Sequence, residues 1–162
     1  VLNAAQARVI GPEAETDKNL IDTMNVNLLG PVLLTHALAQ RLEKADRAQV
    51  TIIGSSARYG LPMASAYAAS KAGLAGFARA LASEWQRSVP VQLIDPPAVA
   101  TDLHTRAGTP AGWARWFFLD ADYAAERIFK LILTRKHTAN FGYTRQLLKR
   151  LVAGRKNKVP QS

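Results

Sequence analysis

Val50-Thr51-Ile52-Ile53-Gly54-Ser55-Ser56, followed by a long amphipathic run from about Ala66 to Arg87, decides the architecture. Four β-branched residues in a row suit a strand buried on both faces, and Gly54 closes it. In the run that follows, Leu74, Phe77, Ala78 and Leu81 form one helical stripe. Next, Val91-Gln92-Leu93-Ile94 reads as another strand, stopped by Asp95-Pro96-Pro97 because proline has no N–H for a ladder. Working upstream, residues from about Thr16 to Lys44 carry Leu20, Met24, Leu34, Leu38 and Leu42 at mostly helical spacing, and Val1-Leu2 reads as the tail of a buried strand. Strand, helix, strand, helix, strand implies parallel pairing through right-handed crossovers, an α/β domain. Beyond Thr101, Gly108, Pro110 and Gly112 break a segment holding Trp113, Trp116, Phe117 and Phe118, a candidate lid. A helix from about Ala121 to Thr134, a short stretch Ala139-Asn140-Phe141-Gly142-Tyr143, a basic helix around Arg145 to Val152 and a disordered end from Arg155 are expected after it.

The 162 residues, 48% hydrophobic and 20% charged, suffice for one core and not for two ordinary domains. No uninterrupted apolar run is long enough for a spanning helix, and the first residues show no basic segment followed by an apolar one, so a cytoplasmic setting is expected. With no cysteine and three scattered histidines (His36, His104, His137), no metal site is expected. The net charge of +9 is unevenly placed: Val1 to Glu126 holds 11 basic against 12 acidic residues, whereas Arg127 to Ser162 holds 10 basic and none acidic. Such a block is either a solvated tail or a contact for an anionic partner. No specific nucleic-acid recognition is expected from it, and a peripheral membrane contact is left open.

Tyr67-Ala68-Ala69-Ser70-Lys71 puts a phenol and an ammonium on one helix face. A neighbouring positive charge favours phenolate, which would let Tyr67 exchange a proton near neutrality. The pair alone is more often surface packing. Ser55 and Ser56 follow a strand, at the edge where open α/β sheets bind ligands, although serines there also begin turns. Asn27 lies four residues before Pro31, whose missing N–H would leave the Asn27 carbonyl free for a water, or would merely bend the helix.

In order and approximate spacing, Asn27, Gly54-Ser55-Ser56, Tyr67 to Lys71 and Pro96 to Thr101 resemble the short-chain dehydrogenase/reductase family. Leu2-Asn3-Ala4-Ala5 is similar to its Asn-Asn-Ala-Gly segment, Met24 to Gly30 to its asparagine-bearing helix, and Pro96-Pro97-Ala98-Val99-Ala100-Thr101 to its Pro-Gly turn. The resemblance implies the C-terminal part of a Rossmann-type, doubly wound parallel sheet with helices on both faces. It implies NAD or NADP as cofactor and a small-molecule carbonyl or alcohol as substrate. Tyr67 would be the general acid/base, Lys71 would bind the nicotinamide ribose, Ser55 (or Ser56) would hold the substrate oxygen, and Asn27 a relay water. Asn3, Val99 and Thr101, with Tyr67 and Lys71, would line the cofactor.

Residues 1–144 are expected to form this catalytic part and 145–162 the basic helix and tail. Three positions depart from the family pattern: Leu2 and Ala5 on the adenosine side, and Pro97 in place of glycine, which fixes φ and removes a donor near the carboxamide. No Gly-rich turn precedes Asn3, so the chain is expected to be an N-terminally truncated fragment, poor at binding cofactor alone and prone to aggregate through an unpaired sheet edge. The aromatic cluster points either to a lipophilic carbonyl compound or to core and dimer packing. Homo-oligomers would form through the long helix, where Ala69, Ala72, Gly73 and Gly76 permit close approach. The competing reading is a catalytically inactive binding module that uses its basic tail on an anionic membrane or nucleic acid; it predicts salt-dependent association lost on deleting Arg145 to Lys158.

Overall fold

A computed structural model describes residues 1–86, 88–108, 118–136, 138, 139 and 141. Strand β1 (Val50–Ile53) pairs in parallel with β2 (Val91–Ile94), in register from Val50↔Val91 to Ile53↔Ile94. On its other side β2 pairs in parallel with β3 (Thr138–Ala139), giving the order β1-β2-β3. Leu2 meets Ile52 in a single parallel bridge, its N–H donating to the Thr51 carbonyl at 2.7 Å, which is the strand tail expected there. Every residue of β1 and β2 is buried because helices cover both faces of the sheet.

The period of two along each strand sorts its side chains between two cores. Val50, Ile52, Val91 and Leu93 pack against Leu74, Ala78, Leu81 and Trp85 of α3 (Ser65–Trp85), with Leu28, Ala39 and Leu42 behind them. On the opposite face Ile53 and Ile94 meet Leu119, Phe141 and Ala124, with Ile128 and Ile132, of α5 (Ala121–Leu133). The α/β class and its parallel, doubly covered sheet are therefore as the sequence suggests.

Thr51 and Gln92 also point to the α5 side, and there polar side chains do structural work. Gln92, fully buried, donates from its amide to the Leu131 carbonyl at 2.9 Å, and Gln49 donates to the Ile132 carbonyl at 3.1 Å. These carbonyls also accept the Thr134 and Arg135 N–H groups, so the two amides add second bonds that tie the end of α5 to β2 and to the residue before β1. Replacing Gln92 with Leu keeps the volume but removes its bond to the Leu131 carbonyl; we expect a loss of about 1 kcal/mol in urea unfolding, despite the more apolar side chain.

The expected upstream helix is one helical run in three parts: α1 (Asp17–Met24), a π turn (Asn25–Leu29) and α2 (Gly30–Lys44). Thr16 caps its start, accepting the Asn19 N–H. The simple Pro31 bend expected from sequence takes the form of this wider turn, in which the Gly30 N–H donates to the Asn25 carbonyl five residues back. Gly73 of α3 packs here, since a Cβ on it would come within 2.9 Å of the Leu28 side chain; its smallness already serves a contact inside the chain. A short helix α4 (Asp102–Arg106) begins the candidate lid. The lid residues Trp113, Trp116 and Phe117, the basic helix from Arg145 and the tail lie outside the described residues. Among the described residues no helix is long and apolar enough to cross a membrane.

Candidate active site

The tails of β1 and β2 run on together past the strands. Gly54 donates its N–H to the Ile94 carbonyl at 2.8 Å and Ser56 its N–H to the Pro96 carbonyl at 3.2 Å. Ser55, still extended, turns the chain: its hydroxyl accepts the Ala57 N–H at 3.1 Å and starts a 3₁₀ turn over Ser56–Tyr59. The capping role and a place in the site thus coincide in one residue. Between these tails, α3 and the segment after β2 lies a cavity of about 660 Å³. Asn3, Ser55, Tyr67, Lys71, Val99 and Thr101 all line it. Val99 is held in place by pairing with Leu119, flanked by hydrogen bonds from the Ala100 N–H to the Leu119 carbonyl and from the Leu119 N–H to the Ala98 carbonyl.

Tyr67 and Lys71 share a face of α3, with the Lys71 Nζ 5.8 Å from the centre of the phenol ring. The ammonium is almost wholly buried and donates to the Ile53 carbonyl at 3.0 Å, at the last residue of β1. Burial holds it down to about 8 from its ordinary value near 10.5, with Asp95 pulling the other way. The phenol differs from the sequence expectation. Burial raises its pKa, the Ser55 side chain opposes that, and desolvation outweighs any help from the nearby ammonium. Ser55, rather than Ser56, is the serine whose side chain acts on Tyr67.

The value for Lys71 has a consequence for stability. Between about pH 8 and 10.5 the unfolded chain holds this proton and the folded chain has released it, so stability rises with pH across that window. Below it the buried charge is a standing cost. Lys71→Met should therefore raise stability at pH 7 by about 2 kcal/mol, after allowing for the lost bond to Ile53, and the advantage should vanish by about pH 10.5. Urea titrations of both proteins at the two pH values check this; an equal or lower midpoint for the variant at pH 7 would contradict it.

Asn27 is placed apart from the cavity lining, fully buried. Its carboxamide accepts the Gln6 N–H and donates to the Gln6 carbonyl, both at 2.8 Å, and donates also to the Ser70 hydroxyl at 3.0 Å. The side chain therefore ties the segment after Asn3 to α3, one residue before Lys71.

Two residues that brace the Ser55 turn, Asp95 and Arg58, escaped the sequence reading, in which Asp95 only stopped a strand. Its carboxylate accepts the Ser55 N–H at 3.1 Å and stands 2.9 Å from the Arg58 Nε, an ion pair whose line is off that of a hydrogen bond. Burial raises the Asp95 carboxyl, opposed by Arg58, the Ser55 N–H, Lys71 and Arg79. The signal available was an acid one residue past one buried strand and a base five residues past the other.

The sequence profile of a family described as short chain dehydrogenase matches residues 1–111. The chain is 35% identical over 109 residues to D-threitol dehydrogenase of Mycolicibacterium smegmatis, covering 66% of this chain and 42% of that protein. It is also 35% identical over 82 residues to 11-beta-hydroxysteroid dehydrogenase-like 3 of Arabidopsis thaliana, 51% of this chain and 26% of that one. The chain spans about two fifths or less of these relatives. Among solved structures, a short-chain dehydrogenase from Sphingobium yanoikuyae in complex with NADPH superposes with a TM-score of 0.75 at 21% identity, covering 99% of this chain and 64% of that one. A Shigella flexneri short chain dehydrogenase complexed with NADP gives 0.60 at 27% identity, over 67% of this chain and 46% of that one.

Proposed function

The chain belongs to the short-chain dehydrogenase/reductase family, and on that footing we propose that it carries the catalytic half of an oxidoreductase that interconverts a carbonyl and an alcohol with NAD or NADP. The observation that carries this reading is the meeting of Ser55, Tyr67 and Lys71 on one cavity at the carboxyl ends of parallel strands. The residues fit the nicotinamide and ribose half of such a cofactor. The cavity is of ligand size, and the Lys71 ammonium has donors beyond the one given to Ile53. When bound, the cofactor supplies or accepts the hydride.

The chain's own groups do the rest. Tyr67 moves a proton to or from the substrate oxygen, and Ser55 donates a hydrogen bond to that oxygen as charge develops on it. Lys71 holds the ribose side and keeps positive charge near the phenol, while Asn3, Val99 and Thr101 orient the cofactor along the wall. Asn27 fixes the geometry of the Gln6 segment through its side chain and holds the relay water through its main-chain carbonyl. Leu61, Leu103 and Ile128 make part of the wall apolar, which suits a small carbonyl compound with a lipophilic flank. Residues 1–144 form this unit, with 145–162 a basic appendage. Subunits pair along the outer side of α3, where Ala69 and Ala72 are exposed.

The test is made on the full-length protein with NADH and NADPH. Saturable quenching of one cofactor's fluorescence is expected, together with its oxidation in the presence of ketones or aldehydes. If neither cofactor binds, the reading fails.

A further inference from the structure

One carboxylate ties together both ends of the turn that carries Ser55. Asp95 Oδ1 accepts the Ser55 N–H at 3.1 Å, and Oδ2 faces the Arg58 Nε at 2.9 Å. Ser55 in turn caps the 3₁₀ turn on which Arg58 sits, so the serine, the turn and the ion pair form a closed ring. Gly54 makes this possible: a Cβ there would lie 2.0 Å from Asp95 Oδ1. Side chains of both Asp95 and Arg58 are 17% exposed, so the pair bears a desolvation cost that an apolar pair in the same space would avoid. What an apolar pair would not provide is negative charge beside the buried Lys71.

We propose that Asp95, clamped by Arg58, is a positioning residue of this site: it fixes the Ser55 backbone and sets a carboxylate against Gly54, one peptide from the Ile53 carbonyl that holds the Lys71 ammonium. The groups that act on Asp95 are Arg58 of the 3₁₀ turn, Lys71 and Arg79 of α3, and the Ser55 N–H. Those next to Lys71 are the Ile53 carbonyl of β1, the Tyr67 ring and Asp95. Asp95 is the acid in this set. Burial alone drives Lys71 toward the neutral amine, and Asp95 is what opposes it.

The inference deepens the proposed function, and its kinetic part rests on that reading. Asp95→Asn preserves size and the acceptor for the Ser55 N–H while removing the charge. Side-chain NMR of Lys71 should show its titration midpoint lowered by about one pH unit or more in the variant. In the full-length enzyme, the loss in kcat/KM should deepen with pH, from about twofold or less near pH 6 to on the order of tenfold near pH 8.5. A folded variant whose Lys71 midpoint is unmoved overturns the proposal, as does a loss equal at every pH. Should the amide unfold the protein, Asp95→Ser, smaller and still an acceptor, carries the same expectation. If the parent turns over no carbonyl or alcohol, the dehydrogenase reading fails, while the Lys71 titration still decides this inference.

Discussion

Replacing Tyr67 with Phe in the full-length protein is expected to lower turnover by on the order of 10³-fold while nicotinamide cofactor affinity changes by less than about threefold. The substitution removes one oxygen and leaves the ring beside Lys71, whose Nζ is 5.8 Å from its centre and bonded to Ile53 rather than to the phenol. The cofactor wall is thus preserved. What disappears is the group that, in the proposed function, exchanges a proton with the substrate oxygen. Because burial raises this phenol, it stays protonated at neutral pH. Steady-state kinetics and a fluorescence titration, run in parallel, separate the two effects; turnover within threefold of the parent would sink the assignment.

Gly54→Ala should be the most damaging single methyl group in the sheet, lowering stability by about 2–4 kcal/mol. The reason is space, not conformation, since Gly54 does not need the left-handed region. Its added Cβ would sit 2.0 Å from Asp95 Oδ1 and 3.1 Å from Leu93 Cδ1. The carboxylate cannot simply swing aside, because Ser55 and Arg58 hold it. Displacing it drags the serine with it, so catalysis should fall along with stability. Urea unfolding of the variant gives the answer; a change below about 0.5 kcal/mol would mean that the clamp is loose.

The strands and α3 were legible because their information is local. Val50 to Ile53 and Val91 to Ile94 announce themselves by composition, and Leu74, Ala78 and Leu81 by spacing. Tyr67 and Lys71 sit one helical turn apart, so a period suffices to pair them. The Asp95 clamp joins residues 37 to 40 positions apart, across two strand tails whose meeting depends on the register Ile53↔Ile94. No periodicity reports that. Gln92 was equally silent, since an amide within an apolar run looks like a lapse until α5 is seen to end above it. Gly73 is silent in a third way: nothing near it in the sequence tells that a Cβ there would meet the Leu28 side chain of the same chain.

The wide turn before Pro31 solves a problem of angular phase. In an unbroken α-helix, successive residues advance by about 100°, so Thr35 would face about 120° away from Thr23 and Pro31 about 80° away. All three are buried. Taking up one surplus residue at Asn25–Leu29 cuts both offsets to about 20° and lets a single helical run keep the same side inward over its whole length. Deleting one residue there would permit a regular helix at the cost of rotating everything on one side of the cut. The asparagine anchoring Gln6 and the apolar stripe of α2 could no longer both face the protein.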